Sequence, residues 1–112
     1  MKARRGEIWL VDFGEPVGRE QSGVRPAVVM SSDRHNEGRS GVVMVVPLTT
    51  TRRGLPSHIE IERGASGLVS TSYAKCEDLK SISVERFVRR QGAAGSGAVV
   101  EIGRVLTFLL NL

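Results

Sequence analysis

The sequence lacks the features that would place it in a membrane or outside the cell. Its single cysteine, Cys76, excludes an internal disulfide framework and fits a reducing compartment. No apolar stretch approaches the roughly 18 residues that a membrane-spanning helix needs. The basic start, Met1–Arg5, is not followed by the apolar segment of a signal peptide, because Asp12 interrupts the next apolar run early. We therefore expect a cytoplasmic protein that does not associate with membranes.

Motifs for metal, nucleotide and nucleophilic chemistry are also missing. His35 and His58 lie 23 residues apart, and neither has a metal-ligand spacing with Cys76. The chain has no glycine-rich phosphate-binding loop and no strand–turn–helix nucleophile motif. Glu77 and Asp78 directly follow Cys76 and are expected to raise the pKa of its thiol, which disfavours a nucleophilic cysteine. We expect neither a metal ion nor a cofactor.

Aromatic side chains are scarce, whereas positive charge is in excess. The 112 residues include one Trp, one Tyr and three Phe, too few for an aromatic platform on which bases stack. With 16 Lys and Arg against 12 Asp and Glu, the formal charge is +4 and the pI about 10.0. Such a surface suits a polyanionic partner, although many proteins with this charge bind no nucleic acid. The length predicts one domain, residues 1–112.

Short apolar and alternating runs before residue 90 predict β-strands. The runs Arg25–Ser32 and Val42–Leu48 are apolar through their middles, which is typical of strands buried on both faces. The other predicted strands are 7–13, 58–62, 67–72 and 74–82, with single helical turns within 33–41 and 83–87.

The C-terminal part of the chain changes to a helical period. Its apolar residues recur at three- and four-residue steps: Val99, Ile102, Gly103, Leu106, Leu109 and Leu110. Ser96 is a candidate N-cap, and Gly103 on the apolar stripe indicates close packing against a neighbouring element. Several short strands followed by one amphipathic helix predict a mainly β fold with a helix, built as a small, strongly curved antiparallel sheet or open barrel.

Groups suited to phosphate chemistry stand at the ends of the two buried strands. One arginine opens the first strand, and three hydroxyls and two arginines follow the second: Arg25, then Thr49, Thr50, Thr51, Arg52 and Arg53. Each is ordinary alone, because strand-edge arginines and turn threonines are common. Together, a guanidinium and several hydroxyl donors on rigid strands can converge on one anion, and Glu20 in the loop 14–24 adds a carboxylate for proton transfer.

Five blocks of the sequence carry a resemblance to a known family. They are 5–13 (RGEIWLVDF), 18–29 (GREQSGVRPAVV), 46–50 (VPLTT), 58–61 (HIEI) and 80–87 (KSISVERF). In order and spacing they resemble the MazF/PemK (Kid) family of toxin endoribonucleases, over about residues 4–110. The resemblance implies a CcdB/PemK-like fold, a small SH3-like open barrel of curved antiparallel strands plus a C-terminal amphipathic helix, assembled as a homodimer.

The resemblance implies a toxin of a type II toxin–antitoxin system that cleaves single-stranded RNA without a metal. In this family the ribose 2′-OH attacks the adjacent phosphodiester, leaving a 2′,3′-cyclic phosphate and a 5′-OH. The matching motif positions are Arg25 before the proline, Thr49 after the V-P-L run and Glu20 in the G-x-E-Q loop. We expect Glu20 to accept the 2′-OH proton, Arg25 to stabilise the charge of the phosphorane, and Thr49 to donate a hydrogen bond to its oxygens.

The same resemblance implies partners and RNA contacts. The expected RNA-binding residues are Arg19, Gln21, Thr50, Arg52, Arg53, Lys75 and Glu77. The acids Glu77 and Asp78 depart from many relatives, and they either accept from a base amino group or point away from the RNA. The basic groove also suits a cognate acidic antitoxin segment that folds on binding and occludes the RNA.

Two other functions stay open at this point. One is a gyrase-poison-type toxin of the same fold, although such proteins carry a Trp-Gly-Ile tail and this chain ends Leu109-Leu110-Asn111-Leu112. The other is a non-catalytic module that binds RNA or sequesters an antitoxin. RNA cleavage by the purified protein separates both from the ribonuclease.

Overall fold

The computed structural model describes residues 2–15, 17–19 and 22–112. Within them, strands and helices follow in the order β1 (Glu7–Asp12), β2 (Val24–Val29), α1 (Asp33–Glu37), β3 (Val42–Thr49), β4 (His58–Ile61), β5 (Ser72–Lys75), β6 (Lys80–Ser83), β7 (Phe87–Ala93) and α2 (Ser96–Leu110). The 3-10 turns Cys76–Asp78 and Val84–Arg86 separate β5 from β6 and β6 from β7. Neither α-helix in these ranges is long and apolar enough to cross a bilayer.

The strands form a curved antiparallel sheet in the order β4-β5-β3-β2-β1-β7, with β6 also paired to β3. The eight-residue strand β3 pairs with β2 over 45–47, with β6 over 42–45 and with β5 over 48–49. Because β3 passes from one partner to another along its length, the sheet bends around it. In the described part of the chain β4 and β7 are its end strands and do not pair with each other. This confirms the predicted open barrel of antiparallel strands with a C-terminal helix.

Two apolar clusters pack on the two faces of the sheet. Val28 belongs to the cluster beneath α2, whereas its neighbours Ala27 and Val29 belong to the other cluster, and all three are 0% exposed. The predicted burial of this strand on both faces is therefore confirmed. The strand ends at Val29 rather than at Ser32, whose hydroxyl instead accepts a hydrogen bond from the His35 N–H and caps α1.

Helix α2 packs through the predicted apolar stripe. Ile102 is 0% exposed, and Val99 and Leu106 are partly buried against the same cluster as Val28. Towards the end of the helix the stripe is no longer buried against the core, and Leu109 and Leu110 are exposed.

Two strand predictions are wrong, and one strand was not predicted. Residues 67–71 form no strand, since β5 begins at Ser72, and the predicted strand 74–82 is interrupted by the 3-10 turn at Cys76–Asp78. The sequence pattern also fails to predict β7, whose middle reads Val-Arg-Arg-Gln-Gly without apolar alternation. This strand forms by pairing with β1 through two register shifts, which a local pattern cannot show. At Gly92 the backbone of Ser66 passes so closely that a Cβ atom would overlap its carbonyl group.

The details of the helix also differ from expectation. Ser96 is its first residue, and the N-cap is Gly95, which has a φ of 90° and makes no side-chain cap hydrogen bond. Close packing at Gly103 is absent: apart from its two chain neighbours and the nearby backbone of the helix, no described atom lies within 4 Å of where its Cβ would stand. The helix therefore carries a glycine that packing does not require.

Candidate functional site

Arg25 and Thr49 meet because of the register between β2 and β3. Ala27 of β2 pairs with Pro47 of β3. Arg25 lies two residues before Ala27, and Thr49 lies two residues after Pro47. In an antiparallel pair these positions share one end, and the two-residue period places them on one face. Both line a cavity of about 310 Å³, together with Pro26, Leu48, Thr50, Thr51, Ser72 and Lys75. The expected convergence of the two strand ends is present in this arginine–threonine cavity.

The polar groups of this cavity keep donors available. The Thr49 Oγ1 accepts a hydrogen bond from the Thr51 N–H at 3.2 Å, which orients the hydroxyl and leaves its proton to donate elsewhere. The Arg25 Nε donates to the Ser22 carbonyl at 3.3 Å, and its two terminal amino groups provide four more N–H donors. The cavity thus presents a guanidinium and a hydroxyl donor to one space, an arrangement suited to an anion.

Lys75 reaches the same cavity from β5. Tyr73 pairs with Thr49, so Lys75, two residues later, lies on the face that Thr49 occupies. The Lys75 Nζ makes an ion pair with the Asp78 Oδ2 at 3.2 Å, with side chains 20% and 33% exposed. A second cation therefore borders the space between Arg25 and Thr49.

A second cavity, of about 370 Å³, adjoins the first and shares Thr49 and Lys75 with it. Its other lining residues are Arg19, Arg53, Leu55, His58, Glu77 and Asp78. The two spaces differ in charge. The described residues that line the arginine–threonine cavity include cations and hydroxyls but no acid, whereas those of the second cavity, here the histidine–glutamate cavity, include two carboxylates among the cations.

The paired side chains of His58 and Glu77 define the second cavity. His58 begins β4 opposite Lys75, and the 3-10 turn after Lys75 brings Glu77 back over it. The His58 Nε2 lies 2.8 Å from the Glu77 Oε2, and the side chains are 3% and 39% exposed. Burial raises the pKa of the Glu77 carboxyl, but hydrogen bonds from His58, from its own backbone and from Ser57 outweigh burial and hold that pKa below its ordinary value.

Sequence reasoning missed His58 as a site residue, since it was considered only as a metal ligand. The signal that would reveal it is the register of β4 with β5, which sequence spacing does not contain. Among the described residues, no group of three or more His, Cys, Asp and Glu side chains is arranged to hold a metal ion.

The Cys76 thiol behaves as its neighbours predict. The side chain is 1% exposed, and burial together with the adjacent Glu77 charge raises its pKa to about 11. The predicted rise in the pKa of this thiol is confirmed, with burial as its larger cause and Glu77 as the smaller one.

The other predicted contacts divide into three groups. Arg19 and Arg53 line the histidine–glutamate cavity and Thr50 the arginine–threonine cavity. Arg52 is exposed in the same loop but lines neither. Glu20, the expected base, and Gln21, an expected RNA contact, lie outside the described residues.

Comparison with known proteins decides the family. Residues 4–110 match the family of PemK-like, MazF-like toxins of type II toxin–antitoxin systems. The chain belongs to this family. A PemK/MazF-like relative, the endoribonuclease MazF9 of Mycobacterium tuberculosis, is 36% identical over 115 residues, which cover 97% of each protein.

Two solved structures share the PemK/MazF-like fold of this chain. MazF from Deinococcus radiodurans superposes with a TM-score of 0.88 at 23% identity, covering 100% of this chain and 99% of the other. An endoribonuclease of a mycobacterial species, solved in complex with its cognate antitoxin, gives a TM-score of 0.82 at 23% identity and covers 98% and 96%.

Proposed function

We propose that this PemK/MazF-like toxin is an endoribonuclease that cleaves single-stranded RNA by attack of a ribose 2′-OH on the adjacent phosphodiester. The observation that carries the proposal is the alignment of Arg25 and Thr49 across the ends of β2 and β3, where both side chains line one cavity. The relative named an endoribonuclease, at 36% identity, supports the same activity.

The reaction needs charge stabilisation more than it needs covalent chemistry from the protein. The 2′-oxygen forms a bond to phosphorus while its proton passes to a base, and the bond from phosphorus to the 5′-oxygen then breaks. The products are a 2′,3′-cyclic phosphate and a 5′-OH, whose proton comes from solvent or an acidic group. Extra negative charge builds on the phosphorane oxygens, where Arg25 and Thr49 place their donors.

Arg25 acts as an electrostatic stabiliser, because a guanidinium carries a delocalised positive charge and is a poor proton donor. Thr49 donates its hydroxyl proton to the same oxygens. Glu20 is the candidate base by its motif position, and its role is to accept the 2′-OH proton.

RNA lies across both cavities in this proposal. Lys75 borders the two spaces and neutralises phosphate charge, while Arg19 and Arg53 contact the strand beside it. Thr50 adds a hydroxyl next to Thr49. Arg52, Gln21 and Glu77 complete the proposed set, with Arg52 contributing charge from the exposed loop.

The proposed partners are a second copy of the chain and an acidic antitoxin, in the cytoplasm. The end of α2 and the residues after it leave apolar side chains uncovered, with Phe108 82% and Leu112 88% exposed, and a second subunit would bury such a surface. The net charge of +4 and the exposed Arg25 and Arg53 suit an acidic segment that competes with RNA. The mycobacterial neighbour in complex with its cognate antitoxin supports a partner of this kind.

The deciding experiment follows RNA cleavage and its chemistry. Purified protein is incubated with a long unstructured RNA in EDTA, and the new ends are mapped and tested for 2′,3′-cyclic phosphate and 5′-OH. The matched control is the same RNA with a single 2′-deoxy substitution at one mapped site. This RNA should not be cut at the substituted site and should still be cut at the other mapped sites. RNA that stays whole, or a deoxy site cut as fast as the ribose site, contradicts the proposal.

A further inference from the structure

The histidine–glutamate cavity has a chemistry that binding a phosphate does not explain. Two carboxylates next to a proposed phosphate site repel RNA. Nevertheless, Glu77 and Asp78 line this cavity, which adjoins the arginine–threonine cavity. We propose that this cavity receives the nucleobase next to the reacting phosphate. There Glu77, held in place by His58, selects a base with an exocyclic amino group over uracil. The inference rests on the proposed ribonuclease function and names the substrate preference of that site.

The position of the cavity fits a neighbouring nucleotide. It shares Thr49 and Lys75 with the arginine–threonine cavity, so a strand with its phosphate beside Thr49 places the next base towards Glu77. The volume of about 370 Å³ lies within the range of small-ligand pockets. Leu55 supplies an apolar wall against which a base face can lie.

Glu77 rather than Asp78 carries the selection. Asp78 forms an ion pair with the Lys75 ammonium at 3.2 Å, whereas Glu77 has its Oε2 against the His58 ring at 2.8 Å and is the more exposed of the two acids, at 39% against 33%. An ionised carboxylate is only an acceptor, so it attracts the amino group of adenine, cytosine or guanine. Uracil offers no amino group, and the two carbonyl oxygens that flank its N3–H face the carboxylate unfavourably.

His58 fixes the position of this carboxylate. Its side chain is 3% exposed, its Nε2 lies 2.8 Å from the Glu77 Oε2, and its Nδ1 has no hydrogen-bond partner among the described residues. A buried ring nitrogen without a partner is unfavourable for folding, and a histidine serving only the core would pair both nitrogens. Among the described residues, the polar contact of the ring is with Glu77, so His58 is a positioning residue for that side chain.

The first test measures binding without cleavage. The probes are 2′-O-methyl oligouridines with one central A, C, G or U, which cannot undergo 2′-OH attack, and the readout is fluorescence anisotropy. We expect wild-type protein to bind the amino-bearing probes roughly fivefold more tightly than the all-U probe. Glu77→Gln should bring the four probes within about twofold of one another. Glu62→Gln is the matched control: it removes one exposed carboxylate that lines neither cavity and should keep the preference.

The second test separates positioning from a purely structural role of His58. His58→Gln retains a side-chain N–H and should keep most of the preference, whereas His58→Leu should abolish it. In the double variant with Glu77→Gln no further loss is expected, because both changes remove one interaction. If His58→Leu lowers the melting temperature and weakens all four probes equally, the positioning role is wrong. If His58→Leu unfolds, the Glu77→Gln variant still tests the base preference, because the Glu77 side chain is on the surface.

The two proposals fail in different ways. A wild-type protein that cuts ribose RNA but binds the four probes equally, or a Glu77→Gln protein with an unchanged preference, overturns the base-selection proposal and leaves the ribonuclease intact. A wild-type protein that prefers amino-bearing probes but cuts no ribose RNA overturns the ribonuclease and retains the selective cavity.

Discussion

Leu48 and Thr49 are neighbours on β3, but they belong to regions of opposite character. Leu48 also lines the arginine–threonine cavity, but its side chain is 2% exposed and packs in the cluster beneath α2 with Val28 and Ile102. Thr49 lies on the other face and borders both polar cavities. The helix-side region buries aliphatic side chains, which stabilise the fold, whereas the cavity region keeps its cations and hydroxyls accessible. Substitutions in the two regions should therefore change stability and catalysis separately.

The largest expected effect is on catalysis, in the cavity region. Arg25→Ala should lower the rate of RNA cleavage by about 1000-fold, because it removes the charge that faces the phosphorane. Its melting temperature should stay within about 2 °C of wild type, since the side chain is exposed. Arg52→Ala, the control in a neighbouring exposed loop position, should lose much less activity. Equal losses for the two variants would show that Arg25 contributes only general positive charge.

Thr49 allows a test of one hydroxyl at nearly constant shape. Thr49→Val should lower single-turnover cleavage by about 100-fold, while Thr49→Ser, which keeps the donor, should stay within about tenfold of wild type. A valine variant as active as the serine variant would assign the hydroxyl a structural role, through the hydrogen bond that it accepts from the Thr51 N–H.

Glycine-to-alanine substitution at two positions should change the free energy of unfolding in opposite directions. Gly92→Ala should lower the free energy of unfolding by about 3 kcal/mol, because its Cβ would overlap the Ser66 carbonyl. Gly103→Ala should raise it by about 0.5–1 kcal/mol, because the site is open and alanine favours helix. Urea unfolding measures both. Loss of stability in Gly103→Ala would mean that close packing at this position exists after all.

The smallest expected effect is the pH dependence of Glu77. Its folded-state pKa is lowered, so its contribution to stability is complete above the unfolded-state value near 4.5 and is lost as pH falls through the folded value. The melting temperature of wild type minus that of Glu77→Gln should therefore shrink as pH drops from 6 to 3. The same series with Glu62→Gln gives the general effect of removing one carboxylate. A difference that grows on acidification would contradict the lowered pKa.

The sequence predicts those parts of the fold that have a local cause. Buried strands such as β2 are evident from unbroken apolar runs, and α2 from its three- and four-residue period. Strand β7 cannot be predicted from its local pattern, which is polar. It forms because it pairs with β1, far away in the chain and through register shifts, and this pairing overrides the local pattern. The prediction of close packing at Gly103 is wrong because the sequence pattern, a glycine on an apolar stripe, is the same whether or not another backbone approaches it.

The candidate site divides in the same way. The sequence by itself determined the residue types and their attachment to strand ends, which places Arg25 before one buried run and Thr49 at the end of another. Only the tertiary structure decided that the antiparallel register aligns these ends on one face, and that the 3-10 turn returns Glu77 to a buried His58. The reason is that apolar periodicity is a property of neighbouring residues, whereas strand register depends on pairing between segments far apart in the chain.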